Sequence, residues 1–263
     1  MAVVITYNNK VINFDNIPYV QSGISFDGLI LYLDANNTLS YPSSGNIWND
    51  LSPANNDGTL VTPTYNASGS GSFYFLPSSD FVNCGYGISA LNLQQLTISF
   101  WLKPGTVTNA NENYLFHLDT VQGSPVYYGV GIDLGKFSSD AYSIAGNVGD
   151  GIFYYSGNRK STETTDRVII KDVWQMVTFA YSSAQSVKIY RNGVEITNLS
   201  TSGSYNGTTI GSSYGAGRTL INNNNITNPH GVNGFMNDVA VYSRALTQAE
   251  VVNMYNIQSI KYL

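Results

Sequence analysis

The run Phe235–Tyr242, together with the corner and helix start after it, constrains this chain most. Phe235, Asn237, Val239 and Val241 alternate with Met236, Asp238, Ala240 and Tyr242. A period of two marks a strand whose two faces meet different surroundings, so the pattern predicts that Phe235, Val239 and Val241 share one face. Ser243-Arg244-Ala245-Leu246 then turns the chain. Thr247, with Glu250 three positions on, predicts a capping box that opens a short helix. Val251, Val252, Met254 and Tyr255 supply its apolar face.

The same period recurs upstream. Leu96, Ile98, Phe100 and Leu102 alternate with Thr97, Ser99, Trp101 and Lys103 until Pro104-Gly105 ends the strand. Trp174–Tyr181 and Val187–Val194 are two further strands, and Asn192-Gly193 is a strong hairpin signal because both residues accept positive φ in a type I′ turn. Leu29–Leu33 reads as an apolar strand, and Ser72–Cys84 as a strand, a turn and a second strand. Trp48 is expected to anchor a polar loop by its burial, and Cys84 to be a small buried residue. Tyr114–Leu118, Val126–Leu134 and Gly151–Tyr155 are strand candidates in a loop-rich middle, and Thr208–Ile210 is a short one within polar loops. Charged residues make up only 11% of the 263-residue chain against 43% hydrophobic, which suits β-structure and turns better than long helices.

Residues 1–24 stand apart. Val3–Tyr7 and Val11–Phe14 read as two short strands joined at Asn8-Asn9, a piece too small to hold a core alone. It is expected to be an attachment or assembly arm, the alternative being an extra edge strand on the main domain, residues 25–263.

Four stretches resemble one family. They are the opening Gly28–Leu60 (GLILYLDA, SYPSSG, WNDLS, NNDGTL), the strand around TISFWLKP, the hairpin ending in YRNGVEI, and the close from Gly231 to Asn256 with its YSRALT corner. Together they resemble laminin-G-like domains of the concanavalin A-like lectin/glucanase superfamily, of the type found in bacteriophage virion proteins. The resemblance implies an all-β jelly-roll sandwich of two antiparallel sheets with a short C-terminal helix. That fold carries enzymes, lectins and structural parts alike, so function must be argued from sites.

Composition and motifs exclude several classes. A net charge of −5 with twelve scattered basic residues is not a nucleic-acid surface. One cysteine forms no intramolecular disulfide. The opening MAVVITYNNK lacks a signal-peptide pattern, and no apolar run is long enough for a membrane span, so synthesis in a cytoplasm is expected. Glucanases of the superfamily place two acids on one strand, as Glu-x-Asp-x-x-Glu or close to it. Here Glu112, Glu163, Glu195 and Glu250 fall outside any such pattern. Glu163 and Asp166, three apart in a Thr-rich loop, are the best remaining pair for a hydrolase. His117 and His230 are far apart and have no second ligand at zinc spacing.

Two kinds of site remain. Sugar binding needs aromatic platforms beside polar groups, and Tyr154, Tyr155, Tyr205 and Tyr214 lie in or beside polar loops. Laminin-G-like domains often hold Ca2+ at the sandwich rim, and Asp119, Asn147 and Asp150 are the candidate oxygen donors for such an ion. The expected function is a non-enzymatic virion structural protein, capsid-decorating or associated with tail or fibre, displayed on the particle surface. Its partners would be other virion proteins reached through residues 1–24, or copies of itself. The alternative is a carbohydrate-binding module recognising host surface glycans.

Overall fold

A computed structural model describes residues 4–7, 10–13, 23–69, 71–77, 79–88, 93–106, 113–119, 128–137, 141–150, 159–183, 186–202, 218–223 and 231–262. Two antiparallel sheets face each other as a jelly-roll sandwich, with one helix, Gln248–Gln258, near the C-terminus. The eight-stranded sheet runs Val194–Ile196, Ser186–Arg191, Gln175–Ser182, Gln95–Pro104, Gly234–Tyr242, Ser72–Phe75, Thr64–Asn66. Its remaining strand, Leu29–Leu33, pairs with Gly234–Tyr242 beyond the reach of Ser72–Phe75. The ten-stranded sheet runs Leu199–Ser202, Arg159–Thr164, Ala141–Asp150, Tyr128–Phe137, Tyr114–Asp119, Thr219–Ile221, Phe81–Asn83, Gly58–Val61, Ile47–Trp48, with Ile169–Ile170 beside Ala141 and Tyr142.

The expected alternation fills the space between the sheets. Leu96, Ile98, Phe100 and Leu102 join Val177, Phe179 and Tyr181 from one sheet against Phe116, Val130, Ile132 and Ile144 from the other. Trp48 is fully buried among them, and Cys84 is buried too, as their positions suggested. Asn192 and Gly193 take φ of 52° and 79°, as a type I′ turn requires.

One face assignment is corrected. Along Gly234–Tyr242, Asn237 opposes Trp101 while Ala240 opposes Ser99, so three steps on this strand match two on its neighbour. That is a β-bulge, and Asp238 at its centre has φ 48°. The extra residue inverts the alternation. Met236, not Phe235, shares the inter-sheet core with Val239 and Val241, and Phe235 lies on the opposite, outer face.

The helix covers part of that outer face. Its capping box is present as expected: the Glu250 amide donates to Thr247 Oγ1, and the Thr247 amide to the Glu250 carboxylate. An isolated helix of eleven residues is marginal in water. Burial of Val251 and Met254 against Tyr32, Trp101, Met176, Tyr190 and Tyr242 contributes roughly 3–6 kcal/mol and holds it. Arg244 of the YSRALT corner ties three segments together: it donates to both Glu250 carboxylate oxygens, to the Asp27 carbonyl and to Ser25 Oγ.

In the arm, Val4–Tyr7 and Lys10–Asn13 pair with each other as a separate two-stranded sheet. Ile24, at the expected boundary of the arm, is buried in the cluster beneath the helix. Among the described residues no helix is long and apolar enough to cross a membrane.

Candidate functional site

The bulge at Asn237-Asp238 organises the outer face. It turns two consecutive polar side chains into places where apolar ones are the rule, and each is fully partnered. Asn237 accepts from the Ala35 amide at 2.7 Å and donates to the Gly71 carbonyl and to Tyr262 Oη. Asp238 accepts from Tyr32 Oη at 2.9 Å, from Tyr262 Oη at 2.7 Å, and from Lys261 Nζ at 3.1 Å. Lys261 also donates to Asp34 at 2.9 Å. Two carboxylates thus share one ammonium in a buried site. Burial pushes the Asp238 carboxyl up to about 6, and Asp34 beside it adds to the rise, while Lys261 and Tyr262 oppose it. These bonds pin the segment after the helix to the sheet, and Tyr262 stacks on buried Trp101 with ring centroids 4.1 Å apart.

Beside this lock the outer face opens into a cleft of about 210 Å³, lined by Asn66, Ser68, Ser72, Lys103, Trp174, Phe235, Lys261 and Tyr262. Register builds it. Phe235 opposes Tyr74 on one side and Lys103 on the other, so the three stand in a row across three strands. The Tyr74 and Phe235 rings lie 4.9 Å apart, and Lys103 Nζ sits 5.9 Å from the Phe235 centroid. Trp174 closes the row, 6.3 Å from Phe235 and 4.8 Å from Tyr262. Tyr74 Oη donates to Asn233 Oδ1 at 2.7 Å, which fixes its ring. Trp174 and Phe235 remain part-exposed, unlike Trp48 and Trp101. The volume falls below the ~300–1,000 Å³ of enclosed small-molecule pockets, which suits a short stretch of a ligand that stays largely in solvent.

Of the candidates named from sequence, Asp119, Asn147 and Asp150 belong to the ten-stranded sheet. Tyr154, Tyr155, Tyr205 and Tyr214 fall outside the described residues. Asp119 ends the strand Tyr114–Asp119, and Asn147 and Asp150 belong to the strand Ala141–Asp150, where loops were expected. Asp119 pairs with Gly129, which pairs in turn with Gly149, so Asp119 and Asp150 reach the same end of the ten-stranded sheet. Asn147 pairs with Gly131 and Asp150 with Tyr128 in the backbone ladder. Among the described residues no group of three or more His, Cys, Asp or Glu is placed to hold a metal ion.

Glu163 lies in the strand Arg159–Thr164 rather than in a loop, and accepts from Ser143 Oγ at 2.8 Å. Asp166 accepts from Asn198 Nδ2 at 2.7 Å. Asp34 and Asp238 do come together, but Lys261 and the tyrosine hydroxyls occupy them, and both are buried.

Comparison with known proteins supports the architecture. A family model described as the concanavalin A-like lectin/glucanases superfamily matches residues 77–252. No curated protein matches the chain. Many solved structures share the fold at low identity, among them the three that follow. The binding domain of Paraclostridial Mosquitocidal Protein 1 aligns at 17% identity with a TM-score of 0.61, over 88% of this chain and 52% of that one. Domain 4 of AbnA, a GH43 extracellular arabinanase from Geobacillus stearothermophilus solved with arabinotriose, aligns at 18% identity and TM-score 0.57, over 86% and 98% respectively. The botulinum neurotoxin serotype D ligand-binding domain, solved with N-acetylneuraminic acid, aligns at 16% and 0.61, over 89% and 52%. The chain therefore spans about half the length of the two toxin domains.

Proposed function

The chain belongs to the concanavalin A-like lectin/glucanases superfamily, and from that premise we propose that it is a non-enzymatic module that binds oligosaccharide on the outer face of its eight-stranded sheet. The observation that carries this reading is the cross-strand row Tyr74–Phe235–Lys103 with Trp174 and Tyr262 closing the cleft beside it. The C–H face of a sugar ring stacks on part-exposed aromatic rings, which also offer polar tips. Asn66, Ser68 and Lys103 stand at the rim to meet its hydroxyls. The arabinanase domain solved with arabinotriose and the neurotoxin domain solved with N-acetylneuraminic acid support the reading, since sandwiches of this kind occur in proteins that hold sugars. A glycan array probed with the full chain, with and without Ca2+, tests it. Binding that Trp174→Ala and Phe235→Ala remove is the expected result; no binding across the array would defeat it.

A second reading concerns where the module is displayed. We propose that it is a surface component of a virion, on capsid, tail or fibre, attached through residues 1–24 to other virion proteins or to copies of itself. The separate hairpin Val4–Tyr7 with Lys10–Asn13 favours this, because a two-stranded ribbon keeps unpaired edges for a partner strand. Light scattering of the full chain and of a chain beginning at Gly23 compares their oligomeric states. Assembly lost with the arm supports attachment; equal monomers would remove its basis.

A further inference from the structure

The charge of the cleft points to a class of sugar. Its lining contains two lysines and no carboxylate, in a chain with 17 acidic residues against 12 basic ones. The two lysines differ. Lys261 is already neutralised from beneath by Asp34 and Asp238. Lys103 faces the Phe235 ring, and among the described residues no carboxylate lies within ion-pair distance of it. Its strand position between Leu102 and Pro104 holds the stem in the aromatic row, so the ammonium is presented at a fixed place. An ammonium over an aromatic face keeps donors for an anion, and a carboxylate there gains a charge-assisted hydrogen bond that a neutral hydroxyl does not.

Building on the oligosaccharide reading above, we propose that the cleft prefers acidic saccharides. The ring carboxylate would lie on Lys103, and the apolar ring face on Phe235 and Trp174. Asn66 and Ser68 then meet neutral hydroxyls, and Lys261 stays bound to its aspartates.

Calorimetric titration of the full chain with a glucuronate-terminated disaccharide and with its glucose-terminated counterpart tests the preference. The acidic sugar is expected to bind roughly tenfold tighter, equivalent to about 1.4 kcal/mol. That advantage should shrink as salt rises from about 0.05 to about 0.5 M. Lys103→Gln should erase the advantage, bringing the two sugars to equal affinity, and Lys103→Arg should keep it. Equal affinities, or tighter neutral binding, with both lost in Trp174→Ala, would overturn the acidic class and leave the cleft as a neutral-glycan site. An acidic preference unchanged in Lys103→Gln would overturn the assignment to Lys103. If neither sugar nor any array glycan bound, the cleft reading itself would fall, and this inference with it.

Discussion

Asp238 and Lys261 meet at 3.1 Å across 23 residues of chain, and their pairing joins a β-bulge to the last described turn of the molecule. Asp238 supplies the bulge its left-handed backbone and its carboxylate the anchor for the segment that walls the cleft. The strand that organises the fold therefore also organises the site.

Asp238→Ala is expected to cost about 3 kcal/mol. It removes the short acceptor of the Tyr32 and Tyr262 hydroxyls, at 2.9 and 2.7 Å, with roughly 1–3 kcal/mol at stake for each such bond, and places a Cβ without a local polar partner at φ 48°. Asp238→Asn keeps an acceptor and tolerates the backbone, and should cost less than about 1.5 kcal/mol. Urea unfolding midpoints separate the two.

Much of this architecture is legible in the letters, and the exceptions have physical causes. Alternation in Leu96–Lys103 groups Leu96, Ile98, Phe100 and Leu102 on one face correctly, because that strand pairs with Gln175–Ser182 without interruption. Thr247 and Glu250 announce the helix because capping is local. Phe235 is misassigned because a period of two does not register an inserted residue. The consecutive Asn237-Asp238 in an otherwise apolar run is the signal that marks the bulge, as both residue types are depleted in strands and tolerate positive φ. The cleft is not legible at all. Tyr74, Lys103, Trp174, Phe235 and Tyr262 are distant in sequence and meet only through register and the lock on Lys261.

The buried Asp238 carboxyl also sets a pH dependence. Its folded pKa, about 6, lies above the ordinary 3.8, so the folded protein binds this proton more tightly than the unfolded chain. The group's stabilising share is complete below the ordinary value and is lost as pH rises through about 6. Glu250, held down to about 2 by Arg244, works in the opposite direction, but only as pH falls below its ordinary 4.5. Burial raises the Asp50 carboxyl in the same direction, so the comparison with Asp238→Asn isolates the Asp238 share between about pH 5 and 7. Unfolding free energies there should fall with pH in the native chain, with a shallower slope in Asp238→Asn.

Arg244→Ala releases the domain's first residues and the helix start together. Loss of its charge-assisted bonds to Glu250, with those to the Asp27 carbonyl and Ser25, should cost about 1.5–3 kcal/mol. Hydrogen exchange should quicken at both Leu29 and Val251; faster exchange at the helix alone would contradict a role for Arg244 in holding the domain's opening.

Gly146, on the ten-stranded sheet, leaves room for the Phe179 ring of the facing sheet. A Cβ there would collide with the Phe179 ring from the facing sheet. Gly146→Ala should therefore overpack the core and cost about 1–3 kcal/mol, read as a lowered thermal midpoint with an unchanged outer-face cleft.

Sugar binding in the cleft beside Trp174 is open to one direct measurement through the chain's three tryptophans. Trp48 and Trp101 are fully buried, whereas Trp174 lines the cleft and is part-exposed. Indole N–H resonances tracked by NMR during titration with a bound oligosaccharide should show the Trp174 signal moving progressively while that of Trp48 stays in place. Saturable binding that leaves the Trp174 resonance unmoved would contradict the account, and would place the sugar elsewhere on the molecule.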